Sequence, residues 1–524
     1  MALRPEDLPK DPALLTELAL ALAAKNEALQ ATVARLQRLI FGARSERMEV
    51  ILAEQLALEL GDLATATIPA PANDDAAGSA QPGSQAGRKK PNRNIGALPK
   101  HLPRFDVVIE PEATICRCCA GALHRIGEDV SEVLDRLPAV LRVVRTIRPK
   151  YSCRACEDIV QAPAPARLIE GGMVSTALVS HIAVAKYGWY STLYRQMQII
   201  GGLGVSVDRS TLARWMKHMA WTLQGVYRLQ LAEMHSYARL FCDETPMPVI
   251  EPGRPRTKIC QFWTHAIDDR PWGGPAPPAV AYVFAQGRGK KEIASQLAGF
   301  TGVLQVDGYA AYGSLARDQR TAGKIRLAFC LAHARRKFVD VHKRTNSPFA
   351  REVIERVAEV YGIEKRIRGT SAENRRAVRQ AEAKPIMEAL YSRLVAVNAG
   401  LSRISTLHEA IEYTLTHWAG LTLFLEDGRL EPDTNSVERS IRPIALGRKN
   451  SLFCGDAGGG ETWAILSTLI NTAKVNGLDP ELWLTDVLER IVSGRTKSHQ
   501  LHEVLAWNWK AAREAEASAT TAAA

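Results

Sequence analysis

A chain of 524 residues in which 46% of side chains are hydrophobic can bury several cores, and its length suggests about three to five domains. The formal charge of +11 and an isoelectric point near 9.2 favour a polyanionic partner such as nucleic acid, a plain solvated basic surface being the alternative. The lack of a secretory leader and of any apolar run of about 18 residues argues for a soluble intracellular protein. Nine cysteines, an odd number, argue against a disulfide framework.

Residues 1–63 place Leu15, Leu22, Leu29 and Leu36 at every seventh position, with Ala19, Asn26, Val33 and Ile40 in the alternate seam positions. This is the pattern of a leucine zipper, in which a buried Asn26 pair costs stability and favours a parallel homodimer in fixed register. A single helix laying its apolar stripe on the rest of the protein is the competing reading. Residues 64–99 shift to Ala, Pro, Gly and Ser and then to the basic GRKKPNRN, the composition of a flexible linker.

Residues 100–170 contain two CxxC pairs, Cys116 with Cys119 and Cys153 with Cys156. Two such knuckles can present four thiolates to one structural Zn²⁺, which would clip a small strand-rich module otherwise short of core. Cys118 lies inside the first knuckle as a bystander or a substitute for Cys119, and a thiol cluster without metal is the alternative. Residues 171–235 are helix-patterned. Within them GVSVDRSTLARWMK puts Val205, Val207, Leu212 and Trp215 at the apolar positions of a helix-turn-helix, with Asp208 as cap of the second helix. Arg209, Ser210, Arg214 and Lys217 would then face outward toward DNA, unless the segment is an ordinary helical hairpin.

From 236 to 338 the runs YARLFC, KICQFWTHAI, AVAYVF and GVLQV read as strands, with a helix from Lys290 to Leu297 before the fourth. Asp243 and Asp307 each fall at the end of a buried run, where a carboxylate is costly and therefore informative. Strand, strand, strand, helix, strand is the order of a ribonuclease H-like core, to which a third acid comes later on a helix. Glu438 meets that description, since Asp433, Thr434 and Asn435 offer caps just before it, within a second part of the core at 431–475. Three such carboxylates would hold two divalent cations, Mg²⁺ or Mn²⁺, about 3.5–4 Å apart, a spacing suited to displacement at phosphorus. The competing reading is that each acid is a solvated cap, as most Asp and Glu residues are.

Residues 339–430 are charged and helix-patterned, which predicts a helical insertion; Trp418 with Leu421 and Leu425 at helical spacing reads as core, stacking on an unpaired base being the alternative. Before it, Cys330 and His333 in CLAHARRKF look like metal ligands but number too few for a closed site, so a packed strand end followed by a helix is the simpler reading and an auxiliary role stays open. Arg335, Arg336 and Lys337, with Arg448 and Lys449 beyond Glu438, would neutralise phosphates near the acids or form a solvated helix face. Residues 476–524 read as a C-terminal helical element followed by a disordered tail.

CDETPMPVI, LQVDGYAAY, CLAHARRKF and NSVERSIRPIALGRKNSLF together resemble the DDE transposases of bacterial insertion sequences, specifically the insertion sequence sixty-six family. The likeness spans nearly the whole chain. Cys242 stands where Ala is usual and Ser436 replaces a small or apolar residue, but Asp243, Asp307 and Glu438 match the DDE positions. The resemblance implies a multidomain α+β protein: a coiled coil, a zinc-binding β module and a helix-turn-helix, then a ribonuclease H-like α/β core with a helical insertion. It implies a bacterial, cytoplasmic, nucleoid-associated enzyme that binds terminal inverted repeats, cleaves the DNA ends and joins their 3′ ends to target DNA. Other proteins encoded by the same element are candidate partners. A regulator derived from a transposase, or a nuclease that cuts without joining, would share these motifs.

Overall fold

The computed structural model describes residues 141–148, 150–152, 159–161, 163–317 and 325–523. The zipper, the linker and all four CxxC cysteines lie outside the described residues. Described residues fall into two compact units, a larger one built from Arg167–Thr192 and Arg214 onward, and a smaller one that includes Leu193–Ala213. The fold is mixed α/β, mostly helical around one five-stranded sheet.

In the smaller unit a short antiparallel pair, β1 (Lys150–Ser152) and β2 (Ile159–Gln161), precedes helix α2 (Leu193–Gly202). Helix α1 (Thr176–Ala183) belongs to the larger unit, and α3 (Arg209–Ser236) begins in the smaller and continues into the larger. Leu212 and Trp215 are buried along α3, whereas Arg209, Ser210, Arg214 and Lys217 are exposed. Val205, expected at a packed position, is exposed because it lies in the glycine-flanked turn before α3, and the 28-residue α3 is far longer than a short second helix requires.

The sheet is formed by β3 (Arg239–Val249), β4 (Lys258–Ile267), β5 (Ala279–Ala285), β6 (Gly302–Val306) and β7 (Ile325–Phe329), in the spatial order β5-β4-β3-β6-β7. The first three strands form an antiparallel meander, and β6 and β7 add parallel to β3. Parallel pairing requires crossovers, supplied by α4 (Lys290–Gln296) before β6 and α5 (Ala310–Arg317) before β7. Both crossover helices cover one face, where Ile293, Leu297, Tyr312 and Leu315 pack on Leu240, Cys242, Trp263 and Leu304. Burial on both faces explains why β5 reads as an unbroken apolar run and why even Gln261, Thr264 and His265 of β4 are buried.

Opposite them, α13 (Asn435–Asn450) and α14 (Ala457–Val475) cover β3, β4 and β5. Thr468 and Thr472 of α14 accept the Tyr282 and Val280 amides at 2.8 Å and 3.1 Å, so hydroxyls inside an almost wholly buried helix satisfy donors of the strand. Over β6 and β7 the same face is covered by a helical bundle: α6 (Leu331–Thr345), α7 (Pro348–Ile367), α8 (Ala372–Val378), α9 (Lys384–Asn398), α10 (Thr406–Thr416), α11 (Trp418–Leu421) and α12 (Leu423–Glu426). Leu421 and Leu425 are buried there and Trp418 packs against them in part, as their helical spacing anticipated. Beyond α14, helix α15 (Pro480–Val492) is followed by a 3₁₀ segment and α16 (Ala506–Ala523). The expected disordered tail is therefore helical, consistent with its run of alanines and glutamates.

Candidate catalytic site

Strand register brings two of the acids together. The β3–β6 ladder pairs Arg239 with Val303, Leu240 with Leu304 and Phe241 with Gln305, and then stops. Continuing that register two residues sets Asp243 level with Asp307. Asp243 was expected at a strand end, but β3 runs on to Val249 against β4, with Asp243 opposite Thr264. What ends at Phe241 is only the neighbour on the other side, so Asp243 occupies the notch where β6 has left the sheet. Pro246 and Pro248 follow beyond the last β6 partner, still paired with β4, where a missing N–H leaves no β6 ladder bond unmade.

Side chains alternate along a strand, so Asp243 shares the face of Phe241 while Cys242 and Glu244 point to the other. Phe241 packs with Ala266 of β4 and Val437 of α13. The contact seats the first turn of α13 over the notch and delivers Glu438, the residue after Val437. Asp433 Oδ1 accepts the Asn435 amide at 3.0 Å, and the Thr434 hydroxyl donates to Glu438 Oε1 at 3.1 Å. All three sequence-predicted acids thus converge. Burial, then the Asp307 and Glu244 carboxylates, and more weakly Glu438, push Asp243 up to about 8 from an ordinary 3.8.

Three convergent carboxylates fit hard divalent cations, which prefer oxygen donors. Burial, and after it the neighbouring carboxylates, raises Asp243, and a cation would offset both by stabilising the charged form. Local hydrogen bonds orient the carboxylates: the Tyr309 amide donates to Asp307 Oδ1 at 2.9 Å and the Glu244 amide to Asp243 Oδ1 at 2.7 Å.

Several contributing residues were not legible in the sequence. Glu244, adjacent to Asp243, lies on the opposite face, where Arg288 pairs with it at 2.6 Å and the Tyr312 hydroxyl donates to it at 2.9 Å. Tyr413 of α10 donates its hydroxyl to the Asp307 carbonyl at 2.9 Å, and Lys337 of α6 lies 4.2 Å from the centre of its ring. Nothing in the sequence spacing links a bundle tyrosine to the strand acid. Arg448 reaches back to Thr245 Oγ1 at 3.1 Å and to the Pro246 carbonyl, two and three residues past Asp243. Lys449 and Arg336 are exposed and Arg335 is half-buried. Lys217 pairs with Asp456 at 3.2 Å.

The backbone turns sharply after Asp307. Gly308 has φ of +102°, and a Cβ there would lie 2.5 Å from the Tyr413 hydroxyl. Gly308→Ala is expected to cost about 1–3 kcal/mol through backbone strain and to displace the Tyr413 contact. Urea denaturation should show that loss, and the added change Tyr413→Phe should recover part of it by removing the clashing oxygen.

A model described as the transposase IS66 family matches residues 171–462, more than half of the chain. The chain belongs to the IS66 transposase family. A zinc-finger binding domain of transposase IS66 matches residues 113–157, spanning all four CxxC cysteines, and a model described as transposase C of IS166 homeodomain matches 28–107. The IS66 C-terminal element matches 468–507. Full-length relatives occur in Sinorhizobium fredii (strain NBRC 101917 / NGR234). The uncharacterized protein y4jD is 55% identical over 99% of this chain and 100% of its own length. The uncharacterized protein y4qI is 41% identical over 91% of this chain and 87% of its own, and y4hP is 38% identical over 93% and 90%. Family membership makes the chain a transposase in the general sense, and no helix among the described residues is long and apolar enough to cross a membrane.

Proposed function

We propose that the chain cleaves the ends of its insertion sequence and joins them to target DNA, with Asp243, Asp307 and Glu438 as the DDE residues of a ribonuclease H-like core. The observation that carries this reading is the convergence of the three acids in the notch between β3 and β6, under the first turn of α13. The sheet order and crossover helices support the core assignment. Two Mg²⁺ or Mn²⁺ ions held by the carboxylates would supply charge stabilisation and an activated water for in-line displacement.

The chain's own residues do the rest. Asp243 and Asp307 are fixed by backbone amides, and Glu438 is aimed by Thr434. Arg448 stands on β3 beside the notch, with Lys337 on α6 above Tyr413. Both cations suit phosphate neutralisation along a bound strand, in company with Arg335, Arg336 and Lys449. Inverted-repeat recognition is assigned to the zinc module and to Arg209, Ser210, Arg214 and Lys217, and pairing of subunits to the N-terminal heptads, in a bacterial cytoplasmic protein. The test is incubation of the purified chain with DNA carrying its terminal inverted repeats, with and without Mg²⁺. Magnesium-dependent nicking at the ends followed by joining is the expected result, and cleavage without joining would mark a nuclease.

The zinc assignment yields a separate expectation. Cys116→Ser and Cys153→Ser should each release about one Zn²⁺ per chain and unfold only the module, because a structural zinc supplies the folding energy of such small domains. Metal analysis with limited proteolysis reads both effects, and a zinc-free wild-type protein would refute the assignment.

A further inference from the structure

Cys330 and His333 are not used by the three-acid chemistry, yet the fold gives them a third companion. Cys330 is the residue between β7 and α6, and His333 follows three positions on, so both face the same side of the helix start. Glu438 arrives from α13. The Cys330 sulfur, an imidazole nitrogen of His333 and a Glu438 carboxylate oxygen all lie within 4.8 Å of one another. His333 Nδ1 is buried without a hydrogen-bond partner and stands 3.7 Å from Glu438 Oε1, too far for a hydrogen bond. It is close to the roughly 3.3–3.6 Å between two ligands of a tetrahedral zinc whose bonds are about 2.0–2.3 Å.

Thr434 braces two of the three groups at once. Its amide donates to Cys330 Sγ at 3.3 Å and its hydroxyl to Glu438 Oε1 at 3.1 Å. The adjoining backbone is tied down as well, since the Leu331 amide donates to the Pro432 carbonyl at 2.9 Å. Outer contacts of this kind hold metal ligands in orientation.

We propose that Cys330, His333 and Glu438 form a binding site for a thiophilic divalent cation such as Zn²⁺, with one coordination position open to solvent. A thiolate, an imidazole and a carboxylate select zinc over magnesium, which favours oxygen donors. The Cys330 thiol proton passes to solvent as the sulfur–metal bond forms. His333 and Glu438 are only partly buried, which leaves an approach for the ion. The site itself stands apart from the proposed function. One consequence rests on that reading: a thiophilic cation here draws on a carboxylate that the magnesium chemistry also uses.

Equilibrium dialysis of the full-length chain against Zn²⁺, followed by elemental analysis, tests the site. Cys330→Ser and His333→Asn, each checked for folding by circular dichroism, should hold one zinc fewer per chain than wild type. Asp243→Asn should hold the same number as wild type. His333 is partly exposed, so its variant carries the test if Cys330→Ser misfolds. Equal zinc content in wild type and the folded variants overturns the proposal. A one-zinc deficit in a protein without magnesium-dependent cleavage supports the site while removing the proposed function.

Discussion

Asp243→Asn, Asp307→Asn and Glu438→Gln are each expected to reduce magnesium-dependent end cleavage by on the order of 10³-fold or more, because catalytic groups that act as a unit fail together. Each substitution removes a ligand charge and almost no volume, so inverted-repeat binding should persist. Stability supplies an independent sign. The Asp243 carboxyl is pushed up to about 8 in the folded chain, chiefly by burial and then by its acidic neighbours, against an ordinary 3.8. Folding therefore favours its protonated form. That contribution is complete below about pH 4 and is lost as pH rises toward 8. Asparagine mimics the neutral state, so at pH 8 in a chelator Asp243→Asn should melt above wild type. Adding Mg²⁺ should raise the wild-type melting temperature and leave the variant nearly unmoved. Cleavage retained in any one variant would remove that residue from the triad.

The second large effect is expected in the bundle. Glu364 of α7 accepts Arg379 at 2.7 Å on both carboxylate oxygens and Arg375 at 3.4 Å, while Arg375 also reaches Glu431 at 2.6 Å. All four side chains are buried. Arg379 is further satisfied by the Phe424 carbonyl at 2.9 Å and the Asp427 carbonyl at 3.2 Å, so it is fixed in place and cannot turn to solvent. Glu364→Ala leaves two guanidinium groups facing each other without their shared counter-ion, and should destabilise the bundle by about 3–5 kcal/mol. The paired replacement Glu364→Leu with Arg379→Met should recover much of the loss, since apolar residues of similar volume often replace a buried ion pair at little cost. Thermal melting, with amide exchange in α7 and α9, reads both. The effect should reach the site: Glu431 exchanges hydrogen bonds with Gln305 of β6, two residues before Asp307, and leads directly to Thr434 and α13. A loosened bundle should therefore lower cleavage as well.

What the sequence determined by itself was the local and the covalently periodic. β-rich and helix-like runs located β4, β5, β6 and α4 nearly to the residue, and the CLAHARRKF segment was read as a strand end followed by a helix, which β7, Cys330 and α6 bear out. The family followed from four long motifs, now matched by the family model. Asp243 and Asp307 stood out as candidates because a carboxylate beside an apolar run is unfavourable without a purpose, and Glu438 because it opens a capped helix later in the chain. Only the tertiary structure decided how they meet. Residues far apart in the chain become neighbours through strand register and helix docking, which no local pattern encodes: the β3–β6 ladder stops at Phe241, so Asp243 lies inside a strand and at a notch together. The packing of Val437 on Phe241 then places Glu438 over the notch and beside His333. Tyr413, Thr434 and the buried Glu364 network entered the same way, since their roles depend on which face of a helix is covered by another element.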